Sequence, residues 1–145
     1  MSGRLIGILR KERPHAEPEA LERAKISRDG GVEGDYRGRV SDNKVTVIAR
    51  EDWQAACAEL GRELPWTTRR ANVLTEGIDL PQRLGARLKL GPVVLEVIDE
   101  TKPCSRMEAA ATGLRNALSP DWRGGVSCMV IEAGEIALGD AIDLM

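Results

Sequence analysis

Cys104 is the residue of this sequence whose neighbours best suit a reactive role. It stands between Lys102 and Arg106, after an apolar run and before a helical pattern. Ser105 and Glu108 have the spacing of a capping box, which predicts that a helix begins beside the thiol. A helix N-terminus and two flanking cations favour a thiolate, the form that attacks electrophiles and binds metals. We therefore predict a reactive Cys104, with a packed structural thiol as the alternative.

The other cysteines have the pattern of core residues. Cys57 lies on the apolar side of a predicted helix, and Cys128 lies in an apolar strand on the same face as Val126 and Val130. Three widely spaced cysteines predict no disulfide framework and no structural zinc site. The one histidine, His15, lies in a polar, proline-flanked stretch. The chain thus has little material for a Cys-His or Ser-His-Asp mechanism.

Two adjacent arginines and an amide could hold an anionic heterocycle. Arg69 and Arg70 offer forked donors that match phosphate or carboxylate oxygens, and Asn72 offers both a donor and an acceptor. A solvated charged loop would have the same composition, and the sequence leaves both interpretations open.

Two glycine-rich turns could also approach a ligand. The glycines of segment 30–35 permit close backbone contact, and Asp35 could bond a cofactor amine, although a turn capped by Asp35 is the simpler interpretation. Arg123, Gly124 and Gly125 could form a backbone concavity for an anion, or an ordinary loop into a strand. Neither turn matches a nucleotide P-loop or a Rossmann fingerprint, which disfavours ATP and NAD.

Composition predicts a cytoplasmic protein of one domain, residues 1–145. Its 21 basic and 23 acidic side chains give no reason to expect nucleic acid or a membrane surface as a partner. With no Phe, three Trp and one Tyr, it has few residues for stacking on bases. The apolar run Leu5–Leu9 is too short for a signal peptide or membrane span.

The elements that would position these residues are mainly short strands between glycine-marked turns. Their spacing predicts a mainly β fold, a small barrel rather than an open parallel sheet. The runs 93–98 and 126–131 are nearly continuously apolar, which favours burial on both faces. The predicted strands are Leu5–Leu9, Val45–Ala49, Arg87–Leu90, Val93–Ile98, Val126–Glu132 and Glu135–Leu138.

Two segments have helical periodicity instead. The first contains Trp53, Ala56, Cys57 and Leu60 and ends at Gly61. The second runs from Met107 to Leu118 behind Cys104 and is ended by Pro120. The polar stretch 11–22 is predicted to be a long loop, which could include a helical turn after Pro18.

In this order, the segments resemble the MOSC domain, the module named for the C-terminal part of molybdenum cofactor sulfurase. The resemblance spans about residues 30 to 145, and its discriminating combination is Pro103-Cys104 after a hydrophobic strand, followed by Arg-Gly-Gly and Gly-Asp. The matching segments are 32–35, 70–73 with Gly77, 90–97, 102–104, 122–125 and 134–140. The resemblance implies a MOSC-type β-barrel with a few peripheral α-helices.

The resemblance also implies a pocket for the molybdopterin form of the molybdenum cofactor. The cysteine that matches Cys104 is regarded in this family as a sulfur carrier or as a molybdenum ligand. Arg69, Arg70 and Arg123 would then hold the pterin phosphate beside Gly124 and Gly125, and Asn72 would contact the pterin or the phosphate. Lys102 and Arg106 would keep Cys104 ionised. The pyridoxal phosphate domain of the fused eukaryotic members has no counterpart here, so no pyridoxal phosphate is expected in this chain.

Three functions follow from these expectations. The leading one is a molybdenum cofactor-binding protein that could reduce N-hydroxylated compounds with electrons from a separate partner. The alternative is a non-catalytic protein that carries a persulfide on Cys104 from a cysteine desulfurase to a partner enzyme. A binding domain in which Cys104 is structural is the third.

Overall fold

Seven strands form a closed β-barrel in this protein, and helices pack against its outer surface. The computed structural model describes residues 2–145. The strands are β1 (Gly3–Arg10), β2 (Glu19–Leu21), β3 (Arg23–Ser27), β4 (Gly31–Val32), β5 (Val45–Ala49), β6 (Val73–Glu76), β7 (Arg87–Leu90), β8 (Val93–Glu100), β9 (Val126–Glu132), β10 (Gly134–Ala137) and β11 (Ala141–Leu144). The α-helices are α1 (Tyr36–Val40), α2 (Arg50–Leu60), α3 (Ser105–Ala110) and α4 (Leu114–Leu118), with 3-10 turns at Trp66–Arg69 and Pro120–Trp122.

The barrel follows the strand order β11-β7-β8-β9-β5-β6-β1. It closes because β1 pairs with β11, with Gly3 opposite Ile142 and Arg4 opposite Ala141. The pair β5 and β6 is parallel, and α2 lies in the connection between them, as a parallel pair requires a crossover. β2 extends the sheet beyond β1, while β10, β3 and β4 form a separate three-stranded sheet. This architecture confirms the predicted mainly β barrel.

The barrel interior is filled by aliphatic side chains from alternating strand positions. In β7, for example, Leu88 and Leu90 are buried while Arg87 and Lys89 are exposed. β5 is buried at all five positions because one face lines the interior and the other meets the helices. Burial on both faces was predicted instead for segments 93–98 and 126–131; Met129 is 37% exposed, so the prediction is wrong for that part of β9.

A second apolar cluster lies between the barrel and the helices. It joins the outer face of β5 and β6, through Ile48 and Leu74, to Trp53 of α2 and to Leu114 and Leu118 of α4. The sequence correctly predicts α2, including its end at Gly61, which has a left-handed backbone with φ of 67°. No helix within residues 2–145 is long and apolar enough to cross a membrane.

The predicted helix from Met107 to Leu118 is interrupted. α3 ends at Ala110, and α4 begins after Gly113, whose φ of 89° is incompatible with a continuous helix. The predicted capping box is also wrong, because Glu108 does not reach back to the start of α3. Its Oε2 instead accepts a hydrogen bond of 2.9 Å from the Gly113 backbone N–H, which supports the break between the two helices.

The helical turn expected after Pro18 is also wrong, because residues 19–21 form β2. The strand pairs with β1, with Leu21 opposite Ile8 and Glu19 opposite Arg10. The Arg10 Nε donates a 2.7 Å hydrogen bond to Glu19 across this pair. The long loop therefore spans residues 11–18 only. The sequence analysis also missed β4, β6 and β11, which have two to four residues each, and β3, although its five residues alternate between exposed and buried positions.

Candidate functional site

Cys104 lies where the chain leaves β8 and enters α3. It is the N-cap residue of α3, its side chain makes no capping hydrogen bond, and it is exposed. Its carbonyl oxygen accepts a 3.0 Å hydrogen bond from the Met107 N–H. Because α3 has only six residues, its dipole is a minor influence, and side-chain charges dominate the electrostatics around the sulfur.

A narrow cavity of about 40 Å³ opens beside Cys104. Its lining contains five cationic side chains and no acidic one, within the part of the chain that the structure describes. Such a concentration of like charge is repulsive and favours the binding of an anion. The five cations are Lys11, Arg37, Arg69, Arg70 and Arg106.

The cations converge from four separate parts of the fold. Lys11 follows the end of β1, Arg37 lies in α1, and Arg106 lies in α3. Arg69 and Arg70 come from the 3-10 turn, which Arg70 ends with a left-handed φ of 64°. Other elements lie between each of these four parts and the next in the sequence, so the cluster exists only in the folded chain.

Asp35 positions two of these elements. It is buried and is the N-cap residue of α1, where its Oδ2 accepts a 3.3 Å hydrogen bond from the Gly38 N–H. Its Oδ1 accepts a 2.9 Å hydrogen bond from the Lys11 backbone N–H. The carboxylate therefore fixes the start of the 11–18 loop to α1, and its oxygens already have partners within the protein.

The charge of Lys11 responds to this crowding. Partial burial lowers the pKa of Lys11 below its usual value of 10.5, and the neighbouring guanidiniums of Arg70, Arg106 and Arg37 lower it further. The carboxylate of Asp35 opposes the shift. An anion in the cavity would relieve the repulsion.

Arg69 is held by backbone carbonyls rather than facing solvent. Its Nε donates to the Gly124 oxygen at 3.1 Å, and one Nη donates to the Thr101 oxygen at 2.7 Å. Burial lowers the pKa of Arg69 to about 10, while the nearby Cys104 raises it. The guanidinium is therefore charged at neutral pH, and it ties the segment before Cys104 to the glycine turn at 124.

Asn72 has its side chain fully engaged inside the barrel wall. Its Oδ1 accepts from the Thr46 N–H at 3.0 Å and from the Thr46 hydroxyl at 3.2 Å, and its Nδ2 donates to the Leu9 oxygen at 3.1 Å. It does not line the cavity beside Cys104. In this geometry Asn72 joins β5 to the end of β1.

The remaining predicted ligands do not line the cavity either. Arg123 points toward α2 and α4, where its Nη1 donates to Glu59 at 2.7 Å and to the Ala117 oxygen at 3.0 Å. Lys102 is exposed. Gly124 and Gly125 are buried beside other backbone segments: added Cβ atoms would lie 2.3 Å from the Thr101 oxygen and 2.2 Å from the Val47 oxygen.

The three cysteines differ sharply in environment. Cys57 packs in the helical cluster and Cys128 in the barrel interior, as predicted. Burial raises the pKa of Cys128 to about 12, so this thiol is neutral at physiological pH. Cys104 is the exposed cysteine. Among residues 2–145, no group of three or more His, Cys, Asp and Glu side chains could hold a metal ion.

Sequence reasoning missed three residues near Cys104. Lys11 and Arg37 line its cavity, although each belongs to a polar segment without a binding motif. His15 also reaches the site, because its Nδ1 lies 3.2 Å from an Nη of Arg106. Only the folding of the 11–18 loop toward α3 brings this imidazole there.

The sequence matches the family model of the MOSC domain over residues 25–143. No curated protein sequence matches the chain.

Solved structures with this fold include two kinds of bacterial protein. The YuaD protein from Bacillus subtilis superposes with a TM-score of 0.82 at 16% identity, over 98% of this chain and 94% of that one. YiiM from Geobacillus stearothermophilus gives 0.77 at 15% identity, over 99% and 75%. YiiM from Escherichia coli gives 0.72 at 15% identity, over 98% and 69%. At these identities the similarity establishes a shared fold.

Proposed function

Since the chain belongs to the MOSC domain family, we propose that it binds the molybdenum cofactor, with Cys104 as the ligand of molybdenum. The observation that carries the proposal is an exposed thiol beside a cavity lined by five cations and, among the described residues, no carboxylate. This donor set fits the cofactor, because cations suit its phosphate and a soft thiolate suits its metal.

The cations divide into two roles. Lys11, Arg37, Arg70 and Arg106 would bind the phosphate, whereas Arg69 would position the backbone before Cys104 through its two carbonyl partners. The cavity of about 40 Å³ has room for a few water molecules. It can therefore receive only a small group such as the phosphate, and the rest of the cofactor would stay outside it.

When bound, the cofactor supplies a redox-active metal that can remove an oxygen atom from an N-hydroxylated compound. The chain's own residues would bind, orient and charge-balance the anionic cofactor. Electrons for such a reaction would come from a separate partner.

The test is elemental and cofactor analysis of the protein purified from a host that makes the cofactor. We expect molybdenum in the protein and fluorescent pterin after oxidative release. Cys104→Ser should lose molybdenum, and Arg70→Gln should lose both molybdenum and pterin. Arg115→Gln is a matched control, because Arg115 is exposed on α4 and lines no part of the cavity. Wild-type protein without molybdenum or pterin, also after reconstitution, would overturn the proposal.

Sulfur delivery is the second candidate, and the exposure of Cys104 favours it, since a partner can reach the thiol. The terminal sulfur of a desulfurase persulfide would pass to the Cys104 thiolate, leaving a thiolate on the desulfurase. Incubation with a cysteine desulfurase and cysteine should then add one sulfur atom to Cys104, as mass spectrometry would detect. Cys104→Ser should abolish the adduct, and an unmodified wild-type protein would rule out this function.

A further inference from the structure

A second cavity, of about 280 Å³, adjoins the one beside Cys104. The two cavities share Arg70, Arg106 and Met107 as a common wall. His15, Thr68 and Ala110 line the second cavity only. The lining of this cavity therefore combines cationic and hydrogen-bonding groups with apolar ones, which include Met107 and Ala110.

The shared arginine is held toward the second cavity. An Nη of Arg106 donates a 3.2 Å hydrogen bond to the Nδ1 of His15, so the imidazole holds the guanidinium beside this cavity. No acidic residue lines this cavity, within residues 2–145. Arg70 and Arg106 therefore have no carboxylate beside them in the lining of this cavity to balance their charge.

The backbone around the second cavity is strained at two points. His15 has a φ of 63° and Arg70 a φ of 64°, and both conformations are unfavourable for residues with a side chain. Two of the four non-glycine residues with positive φ in the described chain thus line one small cavity. Strain of this kind is concentrated at functional sites, where it fixes side chains in place.

We propose that this second cavity binds the carboxylate of a small organic acid whose apolar part packs on Met107 and Ala110. Two planar guanidiniums match a planar carboxylate, and the Thr68 hydroxyl adds a hydrogen-bonding group. The volume of about 280 Å³ lies just below the range of typical ligand sites, which favours a small ligand. The binding of this acid does not depend on the proposed function of the Cys104 site.

Benzoate is a suitable probe, with benzamide as its neutral isostere. Both are titrated into isotopically labelled, cofactor-free protein, and the backbone amides are followed by NMR. Benzoate should shift the backbone amide resonances of Thr68, Ala109 and Ala110, which line the second cavity and not the one beside Cys104. The size of these shifts should saturate as benzoate is added. Benzamide should bind at least about tenfold more weakly, because it lacks the charge.

Two variants change the cavity in different ways. Arg106→Gln removes a donor and should weaken benzoate binding about tenfold. Ala110→Leu keeps every charge but fills the apolar side, and it should also weaken binding; Ala110 is exposed, so the variant should fold. Arg115→Gln, which changes the net charge equally, should bind benzoate like the wild type.

Equal binding of benzamide, or unchanged binding in both cavity variants, would overturn the proposal. Shifts at Thr46 and Ala71, which line only the cavity beside Cys104, in place of those at Thr68 and Ala109 would also overturn it. Each of these outcomes leaves the molybdenum analysis unaffected. Conversely, benzoate binding in a protein that never takes up molybdenum would support the second cavity alone.

Discussion

At the scale of single residues, Cys104 owes its setting to side-chain charge. Only Arg106 of its lining cations is close to it in sequence, and the others come from distant segments. Because α3 is short, these cations outweigh the helix dipole that the sequence suggested. The electrostatics of the site should therefore respond to changes in individual cations.

Lys11 gives the site a measurable pH dependence. Its pKa lies below 10.5, so it loses its charge at a lower pH than an ordinary lysine. Sulfate, whose own charge is constant here, should bind less tightly as the pH rises through this lowered pKa. We expect Lys11→Met to bind sulfate about three- to tenfold more weakly at neutral pH and to lack this decrease.

The affinity for sulfate can be measured by calorimetry from neutral pH to about pH 9, below the pKa of about 10 of Arg69, in a Cys104→Ser background. Lys11→Arg is the matched control, because a guanidinium stays protonated over this range and should keep its affinity. If the affinity of Lys11→Met for sulfate fell with pH as steeply as that of the protein with Lys11 intact, another group would be responsible for the pH dependence.

The sequence predicted some of the site's residues and not others. Cys104, Arg70 and Arg106 lie together, and each has a local signal such as the helix start or the paired arginines. Lys11 and Arg37 were missed because nothing local distinguishes them from solvated charges. Asn72 was predicted to contact a ligand because its amide has both a donor and an acceptor. In the structure these groups bond to Thr46 and Leu9 instead.

At the scale of elements, backbone packing behind the site depends on glycine. Gly125 has a φ of 100°, and an added Cβ would lie 2.2 Å from the Val47 oxygen of β5. Gly139 has a similar φ of 94°, but no atom lies within 4 Å of its added Cβ. The two positions separate backbone strain from steric overlap.

We expect Gly139→Ala to lower the free energy of unfolding by about 1–2 kcal/mol, through strain alone. Gly125→Ala adds a clash with β5 and should lower it by about 3–5 kcal/mol. Urea unfolding followed by circular dichroism measures both. Equal effects of the two substitutions would mean that β5 and the glycine turn are not packed as described.

Element prediction succeeded where one face of a segment has a clear period. α2 and the longer strands have that pattern. The break between α3 and α4 was not predicted, because the apolar residues from Met107 to Leu118 keep helical spacing across it. A single glycine with positive φ and the Glu108 hydrogen bond decide the break. β2 forms because the edge of β1 offers unpaired backbone groups.

At the scale of the whole molecule, two apolar clusters share the wall formed by β5 and β6. One fills the barrel, and the other anchors the helices that carry Cys104. Leu95 belongs to the first cluster and Leu114 to the second, and both are fully buried. Replacing either by Ala should lower the free energy of unfolding by about 3 kcal/mol.

The two substitutions should differ in which amides they expose. Leu114→Ala should speed hydrogen exchange mainly in α3 and α4, because the helical layer can open while the closed barrel stays intact. Leu95→Ala should speed it throughout the molecule, since the barrel strands open only together. Uniform exchange in both variants would contradict separate stability of the helical layer.

The sequence by itself determined the family, the barrel class, α2 and the buried positions of Cys57 and Cys128. It also showed that Cys104, unlike the other two cysteines, has cationic neighbours in the sequence. Periodicity and motif spacing are properties of residues that are close in the sequence, so these features can be predicted from the sequence alone. Only the tertiary structure decided which cations surround Cys104, that Asn72 and Arg69 bond within the protein, and that His15 meets Arg106. Such convergence depends on strand register and loop paths between distant segments, and no local pattern encodes them.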